Sequence, residues 1–213
     1  MEQNPDDEET VEHREMLHRL FSRAASRDLV GRNADLDELI DHSLGFVELL
    51  PDDSDFAGRG IDLGSGGGVP GLVVALLTPS STWELVDSQA VRVDWLDHAV
   101  VDLGIGGRVE AVHARAEVLG RRSEWRESAD VATARLFGPP AVVAEIGAGL
   151  VRIGGSIIVS DRRGSDRWDD AVLGELALER CSSPPGFVVL KKTAALASQF
   201  PRREGVPSRR PLF

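Results

Sequence analysis

The sequence has a single cysteine, Cys181, and only five histidines among its 213 residues. One cysteine cannot form an internal disulfide or a cysteine-based metal site, and the histidines show no ligand spacing, so we expect no metal. Apolar runs approaching the roughly 20 residues of a membrane helix are also missing. The first dozen residues are acidic, whereas a signal peptide begins with basic residues. We therefore expect a cytoplasmic protein without a membrane partner. The sequence leaves the oligomeric state open, and we favour a monomer.

Basic residues are outnumbered, and the formal net charge of -11 at first argues against a nucleic-acid partner. The charge is unevenly spread, however. Residues 1–60 hold 6 Arg against 16 acidic residues, residues 61–180 hold 12 against 18, and residues 181–213 hold 6 Lys plus Arg against 1 Glu. An acidic head and a basic tail permit local contact with a polyanion while the overall charge suppresses indiscriminate binding.

The length, with 42% hydrophobic and 28% charged residues, fits one globular α/β domain. Residues 1–55 predict an acidic helical cap. Its first helix carries the apolar stripe Met16, Leu17, Leu20, Phe21 and Ala24, and its second begins at a capping box formed by Asp35 and Glu38. The polar stretch from Pro51 to Arg59 predicts a connector.

Short apolar segments then alternate with helical ones, a pattern typical of a mostly parallel sheet covered by helices on both faces. We predict strands at 60–63, 82–86, 109–113, 131–134, 156–160 and 187–192, and helices at 69–77, 90–103, 139–150 and 168–179. Residues 56–213 are accordingly predicted to form a Rossmann-like α/β domain that ends in a basic segment over residues 191–213.

A glycine-rich turn lies between the first predicted strand and the following helix. It reads Ile61-Asp62-Leu63-Gly64-Ser65-Gly66-Gly67-Gly68-Val69-Pro70-Gly71. Glycines let a backbone turn tightly and approach a ligand, and the free N–H groups at a helix start attract negative groups. A nucleotide-type turn is one interpretation, and a tight connection without a ligand is the other.

Asp87 closes the next predicted strand, where a carboxylate can accept hydrogen bonds from both hydroxyls of a ribose. It could also be an N-cap of the helix near Ala90. A nicotinamide dinucleotide and S-adenosylmethionine both contain such a ribose. Asp62 favours S-adenosylmethionine, because a carboxylate would attract its cationic amino acid part and repel a pyrophosphate. A P-loop is excluded because no Gly-Lys-Ser or Gly-Lys-Thr follows the glycines.

From about residue 60 to the C-terminus the chain resembles the 16S rRNA 7-methylguanosine methyltransferase family, also called the glucose-inhibited division protein B family. The matching segments are Asp62 to Gly71, Leu85-Val86-Asp87-Ser88, Ala116-Glu117, Ala134-Arg135-Leu136-Phe137, Val188 to Lys192, Phe200 to Pro207 and Arg210-Pro211-Leu212. The resemblance implies a class I methyltransferase with a seven-stranded Rossmann-like sheet. It also implies transfer of a methyl group from S-adenosylmethionine to N7 of a guanine in the 530 loop of 16S rRNA, within the 30S subunit.

The resemblance assigns cofactor binding to Gly64, Val69, Ala116, Glu117 and Arg135, and we add the neighbouring turn residues Asp62, Gly66 and Gly68 together with Asp87. Guanine N7 carries a lone pair and no proton, so the reaction needs alignment more than a general base. Arg135 is the candidate catalytic residue, because it can bind a phosphate or the guanine O6 edge.

For RNA contact we predict Arg92, Phe137, Lys191, Lys192, Arg202 and Arg203. Phe137 is equally compatible with ordinary core packing, and the basic tail with a solvated edge. Where the family has a Lys-Arg pair, this chain has Val91-Arg92, so one cation is missing. Two other functions therefore stay open, namely a methyltransferase with another RNA, a protein or a small molecule as acceptor, and a catalytically silent, ribosome-associated module that binds the cofactor.

Overall fold

The computed structural model describes residues 5–51 and 55–213. Residues 1–4 of the acidic head and residues 52–54 of the predicted connector lie outside the described residues. The elements, in chain order, are α1 (Pro5–Ser26), α2 (Leu36–Val47), β1 (Arg59–Leu63), α3 (Gly71–Leu77), β2 (Thr82–Asp87), α4 (Ala90–Asp102), β3 (Val109–His113), α5 (Ala116–Leu119), β4 (Ala129–Ala134), α6 (Pro140–Leu150), β5 (Val151–Ser160), α7 (Asp170–Glu175), β6 (Leu178–Cys181), β7 (Phe187–Lys192) and α8 (Val206–Arg209).

The strands form one seven-stranded sheet in the order β3-β2-β1-β4-β5-β7-β6. The first five strands in this order run parallel, and β7 pairs antiparallel with both β5 and β6. Near-continuous apolar runs such as Ile157-Ile158-Val159 suit strands that are buried on both faces. The predicted α/β class with a mostly parallel, seven-stranded sheet is confirmed.

Each face of the sheet has its own hydrophobic cluster, because consecutive strand residues point to opposite faces. Ile158 belongs to the cluster that includes α1 to α4, and Ile157 belongs to the cluster that includes α6, α7 and the residues after β7. Phe21 of α1 and Phe46 of α2 are fully buried in the first cluster. The two N-terminal helices therefore share a core with the sheet.

The start of α2 is fixed by the predicted N-cap. The Asp35 carboxylate accepts hydrogen bonds from the backbone N–H groups of Asp37 at 3.0 Å and Glu38 at 3.1 Å, which satisfies two donors of the first turn. Arg14 of α1 adds ion pairs to Asp37 and Asp41 of α2. These contacts hold α2 in a defined position against α1.

The helix predicted over residues 168–179 is wrong in its extent. Only Asp170–Glu175 is helical, Ala177 adopts a left-handed φ of +56°, and Leu178–Cys181 forms the edge strand β6. Leu173, Leu176 and Leu178 are all buried and mimic a helical stripe. A short apolar run cannot by itself distinguish a helix from an edge strand, and here pairing with β7 decides for the strand.

Candidate active site

The glycine-rich turn follows β1 in the left-handed conformation that its sequence predicts. Gly64, Gly66 and Gly68 have φ values of +67°, +55° and +97°. A Cβ atom at Gly64 would lie 2.7 Å from Cδ2 of Phe137. The turn therefore needs glycine at position 64 for both its backbone conformation and its close approach to an aromatic ring.

Asp87 ends β2 with a carboxylate that is already oriented by backbone groups. Its Oδ2 accepts from the Gly66 N–H at 3.0 Å, and its Oδ1 accepts from the Gln89 N–H at 2.9 Å. The N-cap of α4 is Gln89, so the alternative of Asp87 as N-cap is not what forms. Oδ2 also lies 3.5 Å from the Arg92 guanidinium. Oδ1 retains a lone pair, which can accept from a ribose hydroxyl.

A cavity of about 200 Å³ lies beside these two features, at the carboxyl ends of β1, β2 and β3. We call it the cofactor cavity. The predicted residues that line it are Gly64, Asp87, Arg92, Ala116, Glu117 and Phe137. Val86, Val142 and Ile146 form an apolar part of its wall. A glycine cradle, a carboxylate for a diol and an apolar wall for a purine together fit the adenosyl part of S-adenosylmethionine.

Five predicted cofactor residues do not line this cavity, and one of them, Arg135, lines a neighbouring cavity instead. Gly66 and Gly68 shape the turn, and Gly66 also orients Asp87. Val69 is buried in the hydrophobic cluster next to α3. Asp62 lies beneath the turn.

Asp62 is 1% exposed, and its Oδ1 accepts a hydrogen bond from the Thr133 hydroxyl at 2.7 Å. Its Oδ2 has no hydrogen-bond partner among the described residues. Burial raises the pKa of Asp62 to about 6, and the Thr133 hydroxyl partly opposes that rise. The carboxylate therefore supports the turn from below, and the predicted contact with the cofactor's amino group stays a prediction.

A second cavity of about 370 Å³ lies at the carboxyl ends of β4 and β5, beneath α2. We call it the acceptor cavity. Arg135 lines this cavity and not the cofactor cavity, together with Glu38, His42, Leu136 and Ser160. Burial lowers the pKa of Arg135, and the charges of Asp62 and Glu38 oppose this effect. An arginine stays protonated at pH 7 after such a shift, so the cavity holds a cation.

His42 is held on the floor of the acceptor cavity by contacts within the protein. Its Nε2 is 2.9 Å from the Ser160 hydroxyl, and its ring stacks on Phe187 at a centroid distance of 4.9 Å. Burial lowers the pKa of His42, and the charge of Arg135 lowers it further. His42 is therefore neutral at pH 7.

Leu136 separates the two cavities and lines both. It has a φ of +55°, which is unusual for a residue with a branched side chain, and its side chain is 87% exposed. A strained backbone and an exposed apolar side chain between two cavities are features expected at a functional site. The sequence offered no signal for this residue beyond its place after Arg135.

The C-terminal segment, residues 193–213, completes the cofactor cavity. From the end of β7 it passes along α6, where the Arg202 guanidinium makes a two-pronged ion pair with the buried Glu145 carboxylate. Further on, the Gly205 N–H donates to Glu117 Oε1 at 3.0 Å, and Ser208 lines the cavity. Sequence reasoning missed Ser208, because it treated the tail as an RNA-binding arm only.

The structure contradicts two of the predicted RNA contacts, Lys192 and Arg202. Lys192 has a fully buried side chain whose ammonium donates to Glu127 at 2.8 Å and to the Ala148 carbonyl at 2.6 Å. Lys191 is half-buried and pairs in register with Ser156, whereas Phe187 pairs with Ser160 at the carboxyl end of β5. Lys191 therefore lies toward the opposite end of the sheet from both cavities, and its contact with RNA stays a prediction.

The Arg202 guanidinium is committed to Glu145. Arg92, Phe137 and Arg203 stay predictions. Arg92 and Phe137 line the cofactor cavity, where the Arg92 guanidinium lies 3.5 Å from Asp87 Oδ2, and Arg203 is exposed.

Within residues 5–51 and 55–213, no helix is long and apolar enough to cross a membrane. No group of three or more His, Cys, Asp or Glu side chains there could hold a metal ion.

The sheet order, with the glycine turn beside the Asp87 carboxylate, is that of a class I S-adenosylmethionine-dependent methyltransferase. Solved structures agree on the fold. The chain is similar to cofactor-bound Rv0187 from MTB, with a TM-score of 0.58 at 16% identity, covering 90% of this chain and 99% of that one. It is also similar to a putative O-methyltransferase from Klebsiella pneumoniae, with a TM-score of 0.57 at 13% identity, covering 84% and 90%.

The family model described as rRNA small subunit methyltransferase G matches residues 12–182. The relative from Roseiflexus castenholzii, named Ribosomal RNA small subunit methyltransferase G, is 36% identical over 173 residues, covering 75% of this chain and 73% of that protein. A relative of the same name from Lactobacillus delbrueckii subsp. bulgaricus is 32% identical over 164 residues, covering 71% and 68%. The chain belongs to the rRNA small subunit methyltransferase G family. The match includes α1 from residue 12 onward and all of α2, whereas the resemblance in sequence motifs runs from about residue 60.

Proposed function

We propose that this protein methylates N7 of a guanine in the 530 loop of 16S rRNA, acting on the 30S subunit in the cytoplasm. The observation that carries the proposal is the pair of adjacent cavities on either side of Leu136. One has the groups that suit an adenosyl cofactor, and the other has a cationic floor and room for a base. The shared name of the relatives, Ribosomal RNA small subunit methyltransferase G, supports small-subunit rRNA as the acceptor.

In this proposal Gly64 receives the amino acid end of the cofactor, Asp87 accepts from the ribose hydroxyls, and Ala116 lies against the adenine. Glu117 holds the C-terminal segment in place through Gly205. S-adenosylmethionine supplies a methyl group on a sulfonium, and as the bond from guanine N7 to the methyl carbon forms, the bond from carbon to sulfur breaks and its electron pair stays on sulfur.

The chain has to position the guanine and exclude water, since N7 has no proton to remove. Arg135 donates to the guanine O6 from the floor of the acceptor cavity, and the exposed Leu136 packs against the base. Phe137 is half-buried against the glycine turn, so it supports the wall between the cavities instead of stacking on RNA. Among the exposed cations, Arg203 is proposed to contact phosphates.

The division into an acidic helical cap over residues 1–55 and a methyltransferase domain over residues 56–213 is also kept as a proposal. Because α2 covers the acceptor cavity, the cap would belong to the acceptor side of the site. The test measures both S-adenosylhomocysteine binding and rRNA methylation by a chain that begins at residue 56, because α1 and α2 share a core with the sheet. We expect binding to be kept and methylation to be lost. Retained methylation would contradict an acceptor role for the cap, and loss of both would contradict its division from the methyltransferase domain.

The proposed function is tested with purified protein, radiolabelled S-adenosylmethionine and 30S subunits that lack the modification. We expect one methyl group per subunit, mapped to a guanine of the 530 loop, with the borohydride and aniline strand cleavage that marks N7-methylguanosine. Methyl transfer to another RNA, a protein or a small molecule, but never to 16S rRNA, would contradict the proposed acceptor. Binding of S-adenosylhomocysteine without any transfer would favour the silent module.

A further inference from the structure

Two opposite charges line the acceptor cavity without neutralising each other. Glu38 is exposed in the first turn of α2, and Arg135 follows β4. The charge of Glu38 partly opposes the lowering of the Arg135 pKa by burial, yet among the residues that the structure describes neither side chain has a hydrogen bond or an ion pair. A ligand that offers hydrogen-bond donors to the Glu38 carboxylate and an acceptor to the Arg135 guanidinium can satisfy both side chains.

Most of the other polar groups of this cavity are already engaged. Asp35 Oδ1 caps α2 by accepting from two backbone N–H groups. His42 and Ser160 are hydrogen bonded to each other at 2.9 Å. Glu38 and Arg135 are the charged side chains of the cavity that make no hydrogen bond or ion pair with other described residues.

We propose that Glu38 is a specificity-determining residue that reads the acceptor guanine together with Arg135, an inference that rests on the proposed function. The Glu38 carboxylate accepts from guanine N1–H and N2–H, and the Arg135 guanidinium donates to O6. A base that is turned out of its stack is commonly read in this way, through its Watson–Crick edge. N7 lies next to O6 on the Hoogsteen edge of guanine, away from N1–H and N2–H. It stays free to face the cofactor cavity across Leu136.

The same two residues reject adenine. Adenine presents an N6 amino donor where guanine has O6, so it would face the Arg135 cation, and its unprotonated N1 would face the Glu38 carboxylate. Each contact would leave a charged group without a partner, which is more costly than the loss of an ordinary hydrogen bond. The arrangement therefore discriminates between the two purines through electrostatics.

Glu38 also gains importance during the reaction. Methylation of N7 places a positive charge on the base, which makes N1–H and N2–H better donors. A hydrogen bond from these groups to a carboxylate strengthens as the charge develops, and an interaction that is stronger in the transition state raises the rate of the chemical step. Replacement of Glu38 should therefore lower the single-turnover rate as well as the affinity for rRNA.

The test combines Glu38→Gln with a change in the substrate. Reconstituted 30S subunits would carry either guanosine or inosine, which lacks the N2 amino group, at the acceptor position. With wild-type protein we expect inosine to be methylated about 10-fold more slowly, because one hydrogen bond to a charged group is lost. With Glu38→Gln we expect guanosine to be methylated about 10-fold to 100-fold more slowly and the inosine penalty to fall below about 3-fold.

The matched control is Glu48→Gln, an exposed glutamate at the other end of α2, which should retain wild-type rates and the full inosine penalty. S-adenosylhomocysteine affinity should be unchanged in both variants, because neither residue lines the cofactor cavity. The ratio of the inosine and guanosine rates does not depend on how much of a variant is folded.

An unchanged inosine penalty in Glu38→Gln would overturn the assignment of Glu38 and leave rRNA methylation in place. Methylation of guanosine by Glu38→Gln at the wild-type rate would also overturn the assignment of Glu38. Failure of the wild-type protein to methylate guanosine-containing 30S subunits would instead overturn the proposed function, and the reading of guanine with it.

Discussion

Replacing Arg202 by alanine removes three of the four hydrogen bonds through which this residue holds the Glu145 carboxylate, which is 0% exposed. The backbone N–H of Arg202 would still donate to Glu145. Removing one partner of a buried ion pair costs about 3–5 kcal/mol, because the other charge is left uncompensated. We expect the lower end, about 3 kcal/mol, since one hydrogen bond remains and the carboxyl group can bind a proton.

The neighbouring Arg203 provides the matched comparison, because it is exposed and its side chain has no hydrogen bond or ion pair with other described residues. Arg203→Ala should change the free energy of unfolding by less than about 0.5 kcal/mol. It should instead reduce the slope of the logarithm of RNA affinity against the logarithm of salt concentration by up to about 1, since one phosphate contact is lost.

Urea denaturation at pH 7 measures the first effect, and RNA binding at several salt concentrations measures the second. Arg202→Ala should also weaken S-adenosylhomocysteine binding, because the segment that it anchors contributes Ser208 to the cofactor cavity. Arg202→Lys, which keeps the charge but loses the two-pronged geometry, should lie between wild type and Arg202→Ala. Equal stability of Arg202→Ala and Arg203→Ala would refute the structural role of the Glu145 pair.

Two further predictions concern the glycine turn and the carboxylate beneath it. Gly64→Val should abolish S-adenosylhomocysteine binding in calorimetry, because its Cβ would collide with Phe137. The control is Gly104→Val, which has a similar φ of +68° and nothing within 4 Å of its Cβ, and which should bind normally. Equal affinities of the two variants would contradict the role of the Gly64 turn in cofactor binding. Burial raises the pKa of Asp62 to about 6 in the folded chain, whereas its pKa is about 4 in the unfolded chain. The unfolded chain therefore loses this proton first, and ionisation of Asp62 lowers the free energy of unfolding as pH rises from about 4 to about 6. Asp62→Asn keeps an acceptor for Thr133. Its free energy of unfolding relative to wild type should therefore rise by up to about 3 kcal/mol between pH 4 and pH 7. If the difference in unfolding free energy between the two proteins did not change with pH, Asp62 would not be buried as described.

Local patterns in the sequence predicted the sheet and much of the cofactor cavity. Residues that follow parallel strands meet at one edge of a sheet, so Gly64, Asp87, Ala116 and Glu117 could be grouped by their positions after predicted strands. Arg135 follows a strand as well, yet it lies in the neighbouring cavity, because the direction of a side chain after a strand is not set by its position alone.

Contacts between distant parts of the chain could not be predicted from such patterns. Arg202 lies 57 residues from Glu145, and Gly205 lies 88 residues from Glu117, so no local spacing connects them. Lys192 did leave a signal. It continues the buried face formed by Val188 and Leu190 at strand spacing, which identifies its side chain as inward-facing despite its charge.

The attachment of the C-terminal segment bears on when the protein can become active during its synthesis. All seven strands and the glycine turn precede residue 193, yet Ser208 and the partner of Glu117 follow it. A nascent chain therefore has all of these strands before the cofactor cavity can be completed. A stop codon placed after β7 would leave the cofactor cavity unfinished, and it would also remove Leu196 and Phe200 from the core and the Arg202 partner of Glu145.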